Sequence, residues 1–366
     1  MRLRKKNLFP RITHRALMLI AAGLLILSYL SAFIDPAKAW YISIFGQFFL
    51  LFALLNIGLL IWAALRHSGS VWIPVVALLP TVFFFSLYYQ FNGKVQVDTF
   101  PRPTDEIRIV SYNVGLFNLE QNRDSVTEDR SECADSVFAF LRSCDPDIIC
   151  LQEFFLKDDS HVAEFLQKEF PGYNPEYFLY VNDKGCYGNV TLSKYRITGK
   201  GKFDFEHSAN LAIYSDYDIR GEKFRLYNCH FESYNISMSR VASALGHDND
   251  VVKEAETKVQ KSITRRPKQV DVVLSDIKNC PLKALVAGDF NDNPLSYTYY
   301  KLSRGRKDTF VEAGKGWGTT YSVLKPLLRI DYILFPPEYK ALSHKVINVP
   351  FSDHYPIMAT IKIKNK

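Results

Sequence analysis

Two polar side chains that could bind a metal ion and a phosphoryl group follow a short apolar run late in the sequence. The run is Ala284–Ala287, and Gly288 ends it. Four apolar residues suit a buried strand better than a helix. Asp289 and Asn291 come next, two residues apart, so an extended backbone would direct both to the same side. A carboxylate and a carboxamide there can hold a hard cation and a phosphoryl group. This predicted strand end is therefore the centre of a candidate site.

Three further polar residues stand at the ends of predicted strands. Asn113 ends the alternating run 107–112, Glu153 follows the buried run 147–151, and His230 ends a third run. An asparagine in such a place can simply cap a turn. A glutamate can be solvated at a strand end, and a lone histidine is more often structural than catalytic. Each residue is a weak indication by itself, so the prediction of a site depends on their convergence on Asp289.

The C-terminal two thirds of the sequence alternate predicted strands with predicted helices. The predicted strands are 107–112, 147–151, 188–193, 211–217, 223–227, 284–287, 330–335 and 357–363. The predicted helices are 131–143, 161–170, one or two within 239–278, and 297–302. Six cysteines show no metal-ligand spacing, and the sequence selects no disulfide pairing.

Six short motifs occur in a fixed order along this part of the chain. They are S-Y-N-V-G-L-F-N, L-Q-E, N-C-H-F, G-D-F-N, R-I-D-Y-I-L and S-D-H-Y-P. In this order they resemble the endonuclease/exonuclease/phosphatase superfamily, over about residues 107–363. That group includes deoxyribonuclease-I-like nucleases, abasic-site endonucleases, neutral sphingomyelinases and inositol-polyphosphate 5-phosphatases. The resemblance implies an α/β (α+β) fold, a four-layer α/β/β/α sandwich.

The resemblance also implies a metal site. It makes Glu153 the principal ligand of Mg²⁺ or Mn²⁺, with Asn113 beside it and Asp353 as a further carboxylate on the metal side. Carboxylate and carboxamide oxygens suit these hard cations, whereas zinc would favour more histidine or cysteine. We therefore expect Mg²⁺ or Mn²⁺ as the cofactor, bound as one ion or as two.

The catalytic roles are likewise implied by the resemblance. Asp289 and Asn291 would position or activate the attacking water and contact phosphoryl oxygens. His230 would be a phosphate-contacting acid or stabiliser. Asp331 would orient His354, which would act as general base or stabilise charge opposite the leaving group. Hydrolysis of a phosphodiester needs such an in-line water, and donors where charge accumulates.

The identity of the substrate stays open at this level. Asn189 in G-N-V-T-L-S matches a phosphate-side asparagine of the family. The sequence lacks an Arg-rich or aromatic DNA-gripping insertion after Gly115, and it lacks the signature segments of the inositol-phosphatase branch. A lipid headgroup, a small phosphodiester and a nucleic acid are all compatible with the predicted site.

The N-terminal part of the sequence predicts a membrane anchor over residues 1–93. Three uncharged runs, about 16–34, 40–65 and 71–91, are each long enough to cross a bilayer as a helix. Residues 94–106 read as a linker, and 107–366 as the catalytic domain. Ala37–Ala39 also resembles a signal-peptidase site, and cleavage there would leave two spans that start from outside.

Charge predicts the orientation of this anchor. Residues 1–100 hold nine Lys or Arg and two Asp or Glu, so they carry the whole net charge of +7 and the remainder is balanced. A basic N-terminus stays in the cytoplasm, and three spans would then place residue 95 onward outside. A domain without net positive charge also has no field that favours tight binding to DNA.

These observations predict a membrane-anchored, extracytoplasmic, divalent-metal-dependent phosphodiesterase or phosphatase. An anchored site favours a phosphoester near the bilayer. An extracytoplasmic nuclease is the alternative enzyme. A catalytically silent binding module that keeps the fold is the alternative from another class, although all the principal polar positions are present.

Overall fold

The structure is a computed structural model that describes residues 8–94, 102–117, 131–234, 243, 247–324 and 328–363. Its helices are α1 (Leu8–Leu30), α2 (Pro36–Gln47), α3 (Phe49–Leu65), α4 (Trp72–Leu78), α5 (Thr81–Phe85), α6 (Ser131–Ser143), α7 (Val162–Glu169), α8 (Asn249–Asn279), α9 (Tyr297–Ser303) and α10 (Thr309–Ala313). Its strands are β1 (Tyr89–Gln90), β2 (Glu106–Asn113), β3 (Ile148–Leu156), β4 (Asn174–Asn182), β5 (Gly185–Ser193), β6 (Gly199–Asp204), β7 (Leu211–Ile219), β8 (Glu222–His230), β9 (Lys283–Asp289), β10 (Lys307–Asp308), β11 (Gly316–Trp317), β12 (Asp331–Phe335), β13 (Lys340–Val346) and β14 (Ile357–Lys362).

Two six-stranded mixed sheets form the centre of the predicted catalytic domain, which is called the catalytic part below. Their strand orders are β10-β12-β9-β8-β7-β6 and β13-β14-β2-β3-β5-β4. A buried cluster with members from both sheets, such as Ile109 and Leu285, fills the space between them. Helices α6 and α7 cover the outer face of one sheet, and α8 and α9 cover the other. The predicted four-layer α/β/β/α sandwich is therefore confirmed.

The alternation of side chains along the strands explains how polar residues gather at one edge. In β2, Ile107 and Ile109 face the space between the sheets, so Asn113 at the strand end lies on the same row. The same two-residue period puts Asp289 of β9 in line with Leu285 and Ala287. Polar side chains thus replace apolar ones where the sandwich opens.

Strand pairing then brings these ends together. Strands β8 and β9 are parallel, and His230 pairs with Asp289 in their register. Strand β12 runs antiparallel to β9, so its first residue, Asp331, is also opposite Asp289. In the facing sheet, β2 and β3 are parallel, with Asn113 opposite Gln152. The ends of β2, β3, β8 and β9 and the start of β12 therefore meet at one edge.

A bulge in β3 redirects Glu153. Leu151 pairs with Val190, but Phe154 already pairs with Gly188, so two residues of β3 stand opposite one residue of β5. Glu153 has φ of 51°, in the left-handed region. A bulge adds one residue to a strand and re-aims a side chain, and bulges are frequent beside active sites.

A close approach of two strands requires the glycine before Asp289. Gly288 has φ of +134°, and a Cβ on it would lie 1.9 Å from the carbonyl oxygen of Cys229. The parallel strands β8 and β9 could not keep this register with a side chain there. The sequence G-D at this strand end is thus dictated by the packing of the backbone.

The N-terminal helices correct part of the predicted anchor. Among the described residues, α1 is long and apolar enough to cross a membrane, over Thr13–Leu30. The predicted span 40–65 is two helices, α2 and α3, which are bent by 56° and qualify together as at most one broken span. The described helices thus offer one span, or up to two.

The prediction of a third span, 71–91, is wrong as a continuous helix. It divides into α4 and α5, and Pro80 stands at the N-terminal cap of α5. Proline has no backbone N–H and clashes with the preceding turn, so it ends the helix. The segment 72–85 would rise only about 21 Å as a continuous helix, short of the roughly 30 Å of a bilayer core. The chain then becomes extended, and β1 pairs with β11.

Helices α1 and α3 pack antiparallel. The ring centroid of His14, near the start of α1, lies 3.7 Å from the ring centroid of Trp62, near the end of α3. At the opposite end, the rings of Tyr29 and Phe49 are 5.9 Å apart. The hydroxyl of Tyr29 also donates to the carbonyl of Ala77 in α4 at 2.9 Å. The C-terminal end of α1 is therefore the meeting point of α1, α3 and α4.

This same end of α1 contacts the catalytic part. The hydroxyl of Ser31 donates to the carbonyl of Leu295 at 2.6 Å. The side-chain amide of Gln47 donates to the Asp292 carboxylate at 3.2 Å. Residues 292 and 295 follow Asp289 closely, so the helices touch the segment that carries the centre of the candidate site. Most of the predicted linker, 94–106, lies outside the described residues.

Candidate active site

Asp289 is fully buried at the point where the other polar groups converge. Its Oδ1 accepts the backbone N–H of Asn291 at 2.8 Å. Its Oδ2 accepts the side-chain amides of Asn113 at 3.0 Å and of Asn291 at 3.1 Å. The Nε2 atoms of His230 and His354 each lie 3.7 Å from the same Oδ2. One carboxylate oxygen therefore faces four side-chain nitrogens from four segments.

Glu153 lies at the open side of this cluster. Its Oε1 accepts the Asn113 amide at 3.1 Å and lies 3.6 Å from Nε2 of His230. Its side chain keeps 33% of its surface exposed, whereas that of Asp289 keeps 1%. The bulge in β3 thus presents a carboxylate to solvent and to the buried cluster at once.

His354 is held by Asp331. Its Nδ1 lies 3.0 Å from Oδ2 of Asp331, and both residues are buried. Burial opposes ionisation of the imidazole, but the carboxylates of Asp331 and Asp289 outweigh burial and raise the pKa of His354 to about 10. The two carboxylates thus favour the protonated form of His354, in which Nδ1 donates to Asp331 and Nε2 is directed toward Asp289.

His230 brings an unsatisfied donor or acceptor to the site. Its Nε2 is buried and has no hydrogen-bond partner among the described residues, although carboxylates lie 3.6 and 3.7 Å away. Leaving a buried polar atom unpaired costs about 1–3 kcal/mol. A ligand oxygen that entered the cluster would remove this cost.

Asp353 lies beside the loop that follows β2. The hydroxyl oxygen of Ser352 is 2.9 Å from the carbonyl of Asn113 and 3.3 Å from Oδ1 of Asp353. A Cβ on Gly115 would lie 3.4 Å from the same Oδ1. The segment 352–354 thus joins the Asn113 loop on one side and the Asp331–His354 pair on the other.

Asn189 differs from the other predicted site residues. It stands opposite the bulge that carries Glu153, but its side chain is buried between the sheets. Its amide donates to the carbonyls of Leu211 at 3.2 Å and Asn228 at 3.1 Å. The structure therefore brings eight of the nine predicted residues to one region, and it holds the side chain of Asn189 beneath that region.

A buried amide network under the site was not predicted from the sequence. Gln152 donates to Oδ1 of Asn228 at 2.7 Å, and Asn228 donates to the carbonyl of Val190 at 3.0 Å. These bonds join the two sheets directly below Glu153 and His230. The two-residue period contains the signal, because Asn228 shares a strand face with His230.

The donor set fits a hard divalent cation. Ligand atoms of Asp289, Asp331 and His354 lie within 4.8 Å of one another. However, Asp331 and Asp289 raise the pKa of His354 and so oppose its use as a ligand, because only a neutral imidazole binds a metal. Oxygen ligands suit Mg²⁺ and Mn²⁺, and Mg²⁺ usually keeps several waters. Glu153, which is partly open to solvent and next to Asn113 and Asp289, fits this requirement better than the buried histidine.

Comparison with known proteins places these features in context. A family model described as "Endonuclease/Exonuclease/phosphatase family" matches residues 110–354, and a model of a domain of unknown function matches residues 11–88. No curated protein matches the chain.

Solved structures share the sandwich. An endonuclease/exonuclease/phosphatase from Bacteroides vulgatus superposes with a TM-score of 0.52 and 20% identity, over 71% of this chain and 99% of that chain. A humanized D. rerio TDP2 superposes with a TM-score of 0.50 and 21% identity, over 70% and 99% respectively. At these identities the likeness shows the fold alone.

Proposed function

Because the chain belongs to the Endonuclease/Exonuclease/phosphatase family, whose members are phosphoester hydrolases, we propose that it is a membrane-anchored, divalent-metal-dependent phosphodiesterase or phosphatase acting outside the cytoplasm. One observation supports this most directly. A single oxygen of Asp289 faces the nitrogens of Asn113, Asn291, His230 and His354 within 3.7 Å. Such a cluster of an acceptor and several donors suits the attack of water on a phosphoester.

In the proposed mechanism, Glu153, Asp353 and Asn113 would hold Mg²⁺ or Mn²⁺. When bound, the ion supplies charge that polarises the phosphoryl group. The amide of Asn113 already lies between the Glu153 and Asp289 carboxylates, at 3.1 and 3.0 Å. These bonds use the amide nitrogen, whereas the side-chain oxygen, which is the atom that could bind the ion, accepts the backbone N–H of Gly115 at 3.0 Å. Binding of the ion by Asn113 therefore requires this oxygen to turn toward Glu153.

Asp289 orients the attacking water. It accepts two hydrogen bonds from Asn291, one from the backbone and one from the side chain, so its carboxylate plane is fixed. Asn291 is itself held by donation to the carbonyl of Phe231 at 2.9 Å. A carboxylate fixed in this way can accept a proton from water in one direction.

The two histidines stabilise charge on the phosphoryl oxygens and the leaving group. The carboxylate of Asp331 accepts from Nδ1 of His354 and stabilises the protonated imidazole, in which Nε2 also carries a proton and can donate to a leaving oxygen. His230 offers its unpartnered Nε2 to a phosphoryl oxygen. We retain Asn189 as a phosphate-side residue, in a role that requires its amide to leave the carbonyls of Leu211 and Asn228.

Exposure of apolar surface supports the anchor. Only a third of the apolar window Thr13–Leu30 in α1 is buried, whereas the core helix of a soluble protein is mostly buried. Large apolar side chains of α3, such as Leu51 and Leu54, are also exposed. Helices that are apolar on their outer faces are typical of a membrane environment.

The orientation follows from α1 alone. The basic residues between positions 2 and 15 lie before α1 and in its first turns, ahead of its uncharged stretch, and would remain in the cytoplasm. The catalytic part contacts the other end of α1 through Ser31 and Leu295. If α1 crosses the membrane, the catalytic part is on the side opposite the N-terminus, whatever the depth of the remaining helices.

Contact between the anchor and the Asp289 segment favours a substrate at the bilayer surface. Gln47 and Ser31 bond to residues that lie three and six positions after Asp289. A reacting centre so near the helix ends would meet a phosphoester of a lipid headgroup more readily than one on a distant macromolecule.

The site is tested by Glu153→Ala, Asp289→Ala and His354→Ala in the full chain, purified in detergent. Each substitution should lower turnover of bis-p-nitrophenyl phosphate at least about a hundredfold, as expected when a metal ligand or an acid–base group is removed. Glu206→Ala is the control, because this glutamate has 89% of its side chain exposed and lies elsewhere. Site variants as active as this control would eliminate the assignment.

Orientation is tested by fusing alkaline phosphatase after the last residue, Lys366. The fused enzyme matures only outside the cytoplasm, so an active fusion is expected. A fusion to residues 94–366, which lack all three apolar runs, is the control and should be inactive. A full-length fusion that is well expressed but inactive would refute the outward placement.

The substrate class is tested by a screen with Mg²⁺ or Mn²⁺. Sphingomyelin, inositol phosphates, single-stranded DNA and RNA are offered to the full chain. Hydrolysis confined to micellar lipid would support the headgroup proposal. Rapid cutting of DNA that salt suppresses would instead favour a nuclease.

A further inference from the structure

A cavity of about 670 Å³ lies between the N-terminal helices and the catalytic part. Phe33, Phe83 and Phe84 form its wall on the helix side, and Pro294, Tyr300 and Val311 form the facing wall. This volume is in the range of small-molecule sites, about 300–1,000 Å³. The catalytic carboxylates do not line it, so it is separate from the site described above.

The acidic groups at this cavity already have cationic partners. Asp308 accepts from the Arg329 guanidinium at 2.7 Å and from the Tyr299 hydroxyl at 2.9 Å. Glu312 lies 3.1 Å from the ammonium of Lys94 and 3.6 Å from that of Lys307. The negative charges of the lining are therefore compensated.

Arg306 differs from the other charged residues that line the cavity. Its Nε donates to the carbonyl of Leu302, and no carboxylate pairs with its guanidinium among the residues that the structure describes. Burial lowers the pKa of Arg306, and the groups that oppose this are Tyr227 and Cys229, which are neutral at pH 7. A half-buried cation without a counter-ion is costly unless an anion binds there.

The mouth of the cavity opens toward exposed apolar surface. Val82 and Phe83 of α5 are 82% and 71% exposed, and Phe33 after α1 is about half exposed. Contiguous exposed apolar side chains mark contact with a membrane or a partner. Here they lie at the C-terminal end of α1, where the proposed anchor leaves the bilayer, so an acyl chain could enter laterally from the membrane.

We propose that this cavity binds one anionic phospholipid of the surrounding membrane, with an acyl chain against Phe83 and Phe84 and the phosphate at Arg306. The apolar walls fit the chain, and the uncompensated guanidinium fits the headgroup. The bound lipid would join α5 to α9 and α10, and so stabilise the contact between anchor and catalytic part. This proposal rests on the proposed membrane contact but not on hydrolysis.

The test uses the full chain in detergent, with EDTA present so that turnover plays no part. Native mass spectrometry follows titration with palmitoyl-oleoyl phosphatidylglycerol, and separately with phosphatidylcholine of the same chains. The parent should bind the anionic lipid about tenfold more tightly, the effect expected of one charge-assisted contact. Arg306→Gln should abolish this preference. Arg304→Gln, which changes an exposed arginine two residues away, should retain it.

A second variant tests the cavity itself. Ser303 lines the cavity, and Ser303→Trp would fill it, so binding of both lipids should fall at least about tenfold. Arg306→Gln with an undiminished preference, or Ser303→Trp with parental binding, would overturn the proposal. If Arg306→Gln does not fold, the comparison of parent with Ser303→Trp decides it. A spectrum of dimers that Ser303→Trp dissociates would identify a second copy as the occupant, and would also overturn it.

Discussion

A buried histidine remote from the catalytic cluster should make the protein sensitive to mild acid. His344 in β13 is 8% exposed, and its Nδ1 is 2.9 Å from the hydroxyl oxygen of Thr309. Its Nε2 has no partner among the described residues. Burial lowers the pKa of His344 from 6.5 to about 4, an effect that Asp308 only partly opposes.

The pKa values of His344 in the unfolded and folded chain determine how its contribution to the free energy of unfolding changes with pH. Between pH 6.5 and pH 4 the unfolded chain binds a proton at His344 that the folded chain does not, so acid favours unfolding. The contribution of the neutral imidazole is fully present above pH 6.5 and is lost as the pH falls toward 4. Each unit of pKa shift is worth about 1.4 kcal/mol, so lowering the pH from 7 to 5 should remove about 2 kcal/mol.

The assay compares melting temperatures of the full chain in detergent across this range of pH. His344→Asn keeps a polar atom near Thr309 but cannot titrate. Between pH 7 and pH 5 the melting temperature of the parent should fall by about 3 °C more than that of this variant, because a chain of 366 residues has a large entropy of unfolding. His161→Asn is the matched control, because this histidine has 72% of its side chain exposed, and its melting should follow the parent. Parallel pH profiles for the parent and His344→Asn would refute the reasoning.

Two further predictions concern the backbone and the metal. Gly288→Ala should abolish folding, because the new methyl would lie 1.9 Å from the carbonyl oxygen of Cys229. Gly58→Ala is the control and should express normally, because its methyl meets nothing within 4 Å. Equal yields of the two variants would contradict this account. Removing divalent ions with EDTA should abolish hydrolysis, and Mg²⁺ or Mn²⁺ should restore it better than Zn²⁺, because the open ligands are oxygens. Full activity in EDTA would exclude the metal-dependent mechanism.

The catalytic sandwich was predictable because its local signals agree. Apolar alternation marks β2, and the buried run before Gly288 marks β9. Both strands carry their polar residue where the inner row of side chains ends. The six motifs added the order of the strand ends, and the pairing of His230 and Asp331 with Asp289 follows that order. The two-residue period of the strands and the order of the motifs thus placed the polar residues at the same edge of the sandwich.

Other features depend on contacts that no local pattern contains. The run 71–91 is uncharged, so hydropathy predicted one span despite its prolines, but the pairing of Tyr89 with Trp317 makes its end a strand instead of a helix. The bulge that turns Glu153 outward arises from a register shift against β5. The bonding of Gln47 to Asp292 joins positions 245 residues apart. Each is set by tertiary packing, which overrides local preference.

The bond between Gln47 and Asp292 has a consequence for how this hydrolase is handled at the bench. The carboxylate of Asp292 also holds the fully enclosed guanidinium of Arg266 at 3.0 Å, and its backbone carbonyl accepts from Tyr332. Removal of residues 1–93 would expose one side of the Arg266–Asp292 ion pair to water. It would also remove the hydrogen bond from Gln47 that fixes the segment after Asp289. Kinetic constants measured on the truncated protein would therefore belong to a site whose Asp289 segment is less rigid than in the full chain.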